Sequence, residues 1–312
     1  MEWYVILLII LASLLLLFII LGFIIGYFVT NMFIHPYCRP ENEVIETEVK
    51  WNRFTLQEFN SYKFEDFEIV SRYGYKLKGS YLLSEVNSSK NNAIILVHGW
   101  TSNRYSMLAY AKMYVKLGFH VFIYDHRNHH QSDKNFTTMG HLEADDLESV
   151  VEYVKEKFNY DVTIGTHGES MGAATVMIHA GRYHSVSYVI EDCGYDSLKD
   201  LLAYQAKYIR HIPTFPAMMF TNFVFKKITG VYFNEVSPAK YLNTCDDIPM
   251  MFVHGDKDNF VPTYMVYKNY DSKNGYKKIC LYKDCTHAQC ITSNYKQYES
   301  DVIEFLKENK II

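Results

Sequence analysis

The 312-residue sequence contains little of several residue types, and each shortage excludes a class of protein. Its 7 prolines and 15 glycines are too few for a collagen-like or low-complexity architecture. Its 6 cysteines are too sparse for a disulfide framework and favour free thiols in a reducing compartment. Basic residues are not in excess, because 31 Lys and Arg stand against 35 Asp and Glu, a net charge of -4. Without a basic tract to bind phosphates, nucleic acid is excluded as a partner.

Charge is absent from residues 5–29, which form a long apolar run near the N-terminus. As a helix, these roughly 25 residues span about 37 Å, which is enough to cross a bilayer. Aromatic residues flank both ends, as is usual at membrane interfaces: Trp3, Tyr4, Tyr27 and Phe28. A cleaved signal peptide is the alternative, but a signal peptide has a shorter apolar stretch that follows basic residues. Here the only charged residue before the run is the acidic Glu2. We therefore predict a single-pass anchor in the cell membrane, and Arg39 favours a cytoplasmic domain behind it.

The rest of the sequence divides into a connector and one large domain. We predict a transmembrane anchor over residues 1–30, a juxtamembrane connector over 31–60 and a folded domain over 61–312. The connector carries two prolines and an acidic run, which indicate a stalk or a short helix. In the domain, short β-rich runs alternate with helical patterns after an opening antiparallel pair. This alternation is typical of βαβ units and a mostly parallel sheet, an α/β fold.

A long interruption separates two of the predicted strands, 186–190 and 250–253. It contains many Phe, Tyr and Met residues. An interruption of about 55 residues between strands is usually functional and is often a lid. We predict a helical cap over about residues 195–246, above the edge of the sheet where ligands bind.

The strongest chemical signal is the run GESMG at residues 168–172, between a predicted strand and a predicted apolar helix. In this context a GxSxG pattern forms a nucleophile elbow, because small neighbours permit the strained turn that exposes the serine hydroxyl. The alternative is an ordinary serine that caps a helix. We predict that Ser170 is the nucleophile.

A serine nucleophile needs a histidine base and an acid that orients the histidine. Two carboxylates follow the predicted strand 250–253, in the run HGDKD. We favour Asp258 as the acid because it lies further beyond the strand and can turn back toward the cleft, whereas Asp256 suits the turn itself. His287 is the only histidine C-terminal to Asp258 and is the predicted base.

The oxyanion that forms during attack needs two backbone N–H donors. One comes from the residue after the nucleophile, Met171. The other comes from the loop after the predicted strand 93–97, and we assign it to Trp100, because Gly99 permits a close backbone approach. His98 in the same loop is interpreted as a structural, hydrogen-bonding residue.

Two further groups of reactive side chains are interpreted as structural. His126, His129 and His130 are close enough in sequence to suggest zinc, but no additional ligand stands at a matching spacing, and we predict no metal site. Three cysteines at five-residue intervals match neither a zinc pair nor a redox pair: Cys280, Cys285 and Cys290. Cys285 would be a nucleophile only if the serine elbow were inert.

Four ordered motifs identify a resemblance: HGWTSNR at 98–104, GESMGAAT at 168–175, EDCGYDSL at 191–198 and IPMMFVHGDKDNFVP at 248–262. From about residue 65 onward the chain resembles the α/β-hydrolase superfamily, in particular membrane-anchored bacterial hydrolases of the serine-aminopeptidase-like or prolyl-oligopeptidase-like type. The resemblance implies a mostly parallel eight-stranded sheet flanked by helices, with a cap insertion. It also implies that Ser170, Asp258 and His287 are the triad, and that Trp100 and Met171 are the oxyanion residues.

One position departs from the family pattern. His130 stands where relatives usually carry a glycine, in the run DHRNHHQS at 125–132. If this position has a positive φ, a histidine there is strained.

These observations together predict a membrane-anchored serine hydrolase that cleaves carboxylic esters through an acyl-Ser170 intermediate, without a cofactor. The aromatic cap favours an apolar acyl chain, so an acyl lipid is a candidate substrate, although such aromatics also serve as packing. The alternatives are a serine peptidase or amidase, a thioesterase, and, from another class, a catalytically silent hydrolase fold that acts as a binding protein. The expected partners are an ester substrate and, through the N-terminal helix, membrane lipid.

Overall fold

The computed structural model describes residues 2–85 and 91–312. Within these residues, eight strands form one sheet in the order β1-β2-β4-β3-β5-β6-β7-β8. The strands are β1 (Glu65–Val70), β2 (Lys76–Leu82), β3 (Asn92–Val97), β4 (His120–Tyr124), β5 (Thr163–Glu169), β6 (Tyr188–Asp192), β7 (Met250–Gly255) and β8 (Lys277–Tyr282). β2 is antiparallel to β1 and β4, and the other pairs are parallel. The predicted mostly parallel eight-stranded sheet is confirmed.

Helices cover both faces of the sheet. They include α4 (Leu108–Lys116), α5 (Glu143–Lys157), α6 (Met171–Tyr183), α10 (Tyr264–Ser272), α11 (Cys290–Ser293) and α12 (Tyr295–Glu308). Side chains alternate along β3, so Ile94 and Leu96 pack with α4 and α12, whereas Ile95 and Val97 pack with α5 and α6. Burial on both faces explains why this strand reads as a continuous apolar run.

The apolar N-terminal run forms one long helix, α1 (Trp3–Ile34). It is long enough and apolar enough to cross a membrane, and its most apolar segment is not buried in the described structure. Its C-terminal half packs against a cap helix, α8 (Ala217–Thr229). A Cβ atom at Gly22 would lie 2.4 Å from the Phe220 ring, and one at Gly26 would lie 2.9 Å from the Phe220 backbone. Thr30 Oγ1 donates a hydrogen bond to the Thr221 carbonyl at 3.2 Å. Residues 22, 26 and 30 thus form a contact stripe of small residues.

The connector predicted over residues 31–60 is folded. It contains α2 (Glu41–Lys50) and α3 (Leu56–Ser61), and α3 begins with a capping box at Thr55 and Glu58. Val44 and Glu48 of α2 are buried against the domain. This segment is therefore part of the folded body, and the boundary at residue 60 stays a prediction.

The predicted cap lies between β6 and β7. It consists of α7 (Leu198–Tyr204), a π-helical turn (Gln205–Ile209), α8, α9 (Pro238–Tyr241) and a 3₁₀ turn (Leu242–Thr244). Phe225 and Phe233 pack in the same apolar cluster as Met171 and Ile34. The cap therefore lies over the start of α6 and the end of α1.

Candidate active site

Ser170 occupies a sharp turn between β5 and α6. Its backbone has a φ of 57° and a ψ of -112°, a conformation that is strained for a residue with a side chain. The two flanking glycines are needed because there is no room for a side chain at either position. A Cβ atom at Gly168 would lie 2.2 Å from the Gly172 carbonyl oxygen, and one at Gly172 would lie 1.9 Å from the Val97 carbonyl oxygen. The local sequence thus fits the geometry of a nucleophile elbow.

His287 and Asp258 lie beside this turn, in the loops that follow β8 and β7. The Ser170 hydroxyl donates to His287 Nε2 at 2.9 Å, and His287 Nδ1 donates to Asp258 Oδ2 at 2.7 Å. Asp256, the alternative acid, instead accepts a hydrogen bond from the Asp284 N–H at 2.6 Å, which joins the loops after β7 and β8. The structure therefore brings Ser170, His287 and Asp258 into one hydrogen-bonded chain, from which Asp256 is absent.

The Asp258 carboxylate is held in its ionised form. Burial alone would raise the pKa of Asp258, but hydrogen bonds from His254 and His287 lower it to about 2. The other carboxylate oxygen accepts the N–H groups of Phe260 and Val261, both at 2.9 Å. These contacts keep the carboxylate charged and correctly oriented toward the imidazole.

The predicted oxyanion residues lie next to Ser170. Trp100 and Met171 line the same small recess as the serine, and a Cβ atom at Gly99 would lie 3.4 Å from Ser170 Cβ. The loop that carries Trp100 is attached to the end of α1. The Trp100 indole N–H donates to the Phe33 carbonyl at 3.3 Å. The loop that would bind the oxyanion is therefore supported by the N-terminal helix.

A second contact links this loop to the segment after α1. The Arg39 N–H donates to the Thr101 carbonyl at 3.0 Å, and Asn103 Nδ2 donates to the Arg39 carbonyl at 3.2 Å. Thr101 has a φ of 66°, so the loop is sharply turned at this point. Residues 33–39 thus hold the loop from outside the sheet.

Sequence reasoning missed a buried ion-pair network centred on Arg53. Its guanidinium lies 3.1 Å from Glu48 and 3.5 Å from Glu169, the residue before the nucleophile. It also donates to the backbone carbonyl of Ala288, the residue after the predicted base. Burial raises the pKa of Glu48 to about 7, although Arg53 opposes this shift. Arg53 therefore connects α2 to both the Ser170 turn and the His287 loop.

Two histidines outside the triad, His98 and His130, make contacts of a structural kind. His98 Nε2 accepts the backbone N–H of His126 at 3.0 Å, and its Nδ1 lies 2.7 Å from the Gly99 carbonyl. Burial holds the pKa of His98 well below its usual value, so the ring is neutral. His130, which stands where relatives usually carry a glycine, has a φ of 38°, so the anticipated backbone strain is present. Its Nε2 lies 3.5 Å from Glu41.

Two spaces of different character meet at Ser170. A cavity of about 430 Å³ extends past His287, and we call it the polar cavity because Arg39, Thr101 and Ser102 are among its walls, although apolar atoms supply most of its lining. On the other side, a recess of about 20 Å³ has apolar walls from α1, the cap and Trp100. An ester bound at Ser170 can therefore place a polar part on one side and an apolar part on the other.

Comparison with known proteins identifies the family. Residues 92–194 match the family described as alpha/beta hydrolase fold. The uncharacterized protein YqkD of Bacillus subtilis (strain 168) is 32% identical over 284 residues, which cover 90% of this chain and 92% of that protein.

Solved structures share the architecture. The Pyrococcus furiosus esterase Pf2001 is 25% identical, with a TM-score of 0.66 over 82% of this chain and 94% of that chain. An acylaminoacyl peptidase of Pyrococcus horikoshii is 17% identical, with a TM-score of 0.63 over 80% of this chain and 43% of that chain, and shows the shared fold alone. With the sheet and the Ser170 turn described above, these similarities show that the chain belongs to the α/β-hydrolase superfamily and is a serine hydrolase of that type.

Proposed function

We propose that this enzyme cleaves carboxylic esters through an acyl-Ser170 intermediate, with Asp258 and His287 as the other triad members. The observation that carries the proposal is the hydrogen-bonded chain from the Ser170 hydroxyl through His287 to the Asp258 carboxylate. A chain of this kind makes a weak nucleophile reactive, because the histidine accepts the hydroxyl proton as the serine oxygen attacks.

The reaction proceeds in two acyl transfers. Ser170 Oγ attacks the ester carbonyl carbon while its proton moves to His287 Nε2, and the backbone N–H groups of Trp100 and Met171 bind the oxyanion. The carbon–oxygen bond to the alcohol then breaks, and His287 returns the proton to the leaving alcohol. A water molecule then attacks the carbonyl carbon of the acyl-serine while its proton moves to His287. The bond to Ser170 Oγ breaks, the carboxylic acid leaves, and His287 returns the proton to the Ser170 hydroxyl. Throughout, the ionised Asp258 stabilises the imidazolium form of His287.

The charges around Ser170 favour an ester over a peptide with a free amino end. Recognition of an α-ammonium group requires an unpaired acid near the nucleophile. The acids that line the polar cavity are Glu48 and Glu169, and both are paired with Arg53. The Ser170, His287 and Asp258 contacts likewise weigh against a silent binding protein, because such a protein has no need to preserve them.

We propose further that α1 spans the membrane once and that the cap rests at its surface. The length and apolar composition of α1, and the exposure of its most apolar segment, support this arrangement. A cap with exposed apolar and basic residues suits an anionic membrane surface, which favours the cytoplasmic side for the domain.

Fluorophosphonate labelling tests the proposed reaction. The full chain in detergent should react at one site, and Ser170→Ala should abolish both labelling and hydrolysis of p-nitrophenyl butyrate. Ser300→Ala, at an exposed serine of α12, is the matched control and should label normally. Labelling that persists in Ser170→Ala would remove Ser170 from the mechanism.

A further inference from the structure

An apolar crevice lies between the C-terminal half of α1 and the cap. Its volume is about 200 Å³. Val29 and Met32 form the α1 side, and Ala206, Ala217 and Met218 form part of the cap side. Neither element closes this space alone, so the crevice exists because α1 is seated on α8.

The crevice adjoins the apolar recess at Ser170. Phe33, Leu202 and Gln205 line both spaces, so these three side chains separate them. Gln205 is held in place by a hydrogen bond from Nε2 to the Phe260 carbonyl at 3.1 Å. Phe260 in turn packs on the His287 ring, with 4.9 Å between centroids. The crevice therefore ends against the three side chains that also line the recess at Ser170.

The cap surface around the crevice has the composition of a membrane-binding face. Residues 201–234 contain no Asp or Glu, but they contain four basic residues: Lys207, Arg210, Lys226 and Lys227. Large apolar side chains of the same region are exposed: Ile209, Ile212, Phe215, Met219 and Phe223. Exposed apolar residues with basic neighbours favour insertion into the interface of an anionic bilayer.

We propose that this crevice binds the acyl chain of an ester that resides in the bilayer, and that α1 forms one wall of the substrate site. The proposal rests on the ester hydrolysis and the membrane span proposed above. The acyl chain enters sideways between α1 and the cap, passes Phe33 and Leu202, and brings its carbonyl carbon to Ser170. The alcohol part then lies in the polar cavity beside Arg39.

A substitution on α1 tests whether this helix contributes to substrate binding. Each buried methylene can raise kcat/KM by up to about fourfold, so filling the crevice should penalise long chains selectively. In the full chain, Val29→Trp should lower the ratio of kcat/KM for p-nitrophenyl dodecanoate to that for the butyrate at least tenfold. The matched control is Phe28→Trp, because Phe28 is 68% exposed and does not line the crevice. It should leave the ratio within twofold.

A second pair of variants tests the cap side of the crevice. Ala206→Trp narrows the crevice from the cap side, whereas Ala203→Trp introduces the same side chain nearby without lining the crevice. The ratio should fall only in Ala206→Trp, while fluorophosphonate labelling and the melting temperature show that both variants are folded. An unchanged ratio in both Val29→Trp and Ala206→Trp would overturn the proposal. A wild-type chain that hydrolyses no ester would instead overturn the proposed function.

Proteoliposomes distinguish entry from the bilayer from entry through water. A long-chain ester that does not exchange between vesicles is placed either in the vesicles that carry the enzyme or in separate protein-free vesicles. The expected hydrolysis rate is at least tenfold higher when enzyme and ester share one bilayer. Equal rates would overturn lateral entry.

Discussion

Residues 65–312 and residues 3–61 contribute to the active site in different ways. The later region supplies Ser170, Asp258 and His287 from loops at one edge of the sheet. The earlier region contacts the outer sides of the same loops, through Phe33 behind Trp100 and Arg53 between Glu169 and Ala288. Sequence motifs therefore locate the reacting atoms, whereas part of the wall around them comes from a segment without a motif, through Phe33, Arg39, Glu48 and Trp51. Variants in the two regions should therefore fail in different ways.

Loss of the nucleophile should have the largest effect. Ser170→Ala should lower kcat for p-nitrophenyl butyrate by about 10⁶-fold, the loss typical of a triad serine. Because alanine removes only the hydroxyl, circular dichroism and the melting temperature should stay close to those of the wild type. Substantial turnover by a folded variant would contradict the division between the two regions.

Loss of the triad acid should have the second-largest effect on kcat. Asp258→Asn should lower kcat by about 10⁴-fold, because an amide cannot hold the histidine in the required tautomer. Asp256→Asn is the matched control, and its effect should be less than tenfold. A larger loss in Asp256→Asn than in Asp258→Asn would show that the acid was assigned to the wrong carboxylate.

Loss of Arg53, in the N-terminal region, should act on stability. Arg53→Met leaves Glu48 and Glu169 buried without their cation, which should reduce the free energy of unfolding by about 3–5 kcal/mol. The double variant with Glu48→Gln should recover part of this loss, since it removes one uncompensated charge. Chemical denaturation measures both changes, with exposed Arg72→Met as the control. Wild-type stability in Arg53→Met would contradict a supporting role.

The smallest expected effect is a pH dependence. Glu48 titrates near pH 7 when folded, whereas an unfolded glutamate titrates near pH 4.3. Between these values the folded state binds the extra proton, so Glu48 makes stability fall as the pH rises from about 5 to 7. Glu48→Gln should reduce this decline by on the order of 1 kcal/mol. Glu46→Gln, exposed on the same helix, should leave the decline unchanged, and an equal effect of the two variants would contradict the assignment.

Much of the sheet was predictable because β3, β4, β6 and β7 each contain a short apolar run with polar or turn-forming residues after it. Parallel strands also bring their carboxyl ends to one edge, so residues far apart in sequence could be assigned to one site before any distance was known. Ser170, Asp258 and His287 do lie in contact, and their catalytic roles stay predictions until variants are measured.

The N-terminal region was not predictable in the same way. In the sequence Glu48 is one more acid in a polar run, and its pairing with Arg53, which offsets part of the cost of burial, is not visible there. The face of α1 that contacts the cap was also hidden, because an evenly apolar helix has no amphipathic pattern. A signal was nevertheless present: Gly22, Gly26 and Thr30 recur at four-residue spacing, a pattern that permits close helix packing in membranes.

This stripe of small residues has a mechanical consequence. Phe220 sits against Gly22 and Gly26 so closely that α1 and α8 must tilt as one unit. Transmembrane helices adjust their tilt to the thickness of the surrounding bilayer. If α1 spans the membrane as proposed, a thicker or thinner bilayer turns α1 and α8 together relative to the sheet, which moves the crevice between them relative to Ser170 without changing its width.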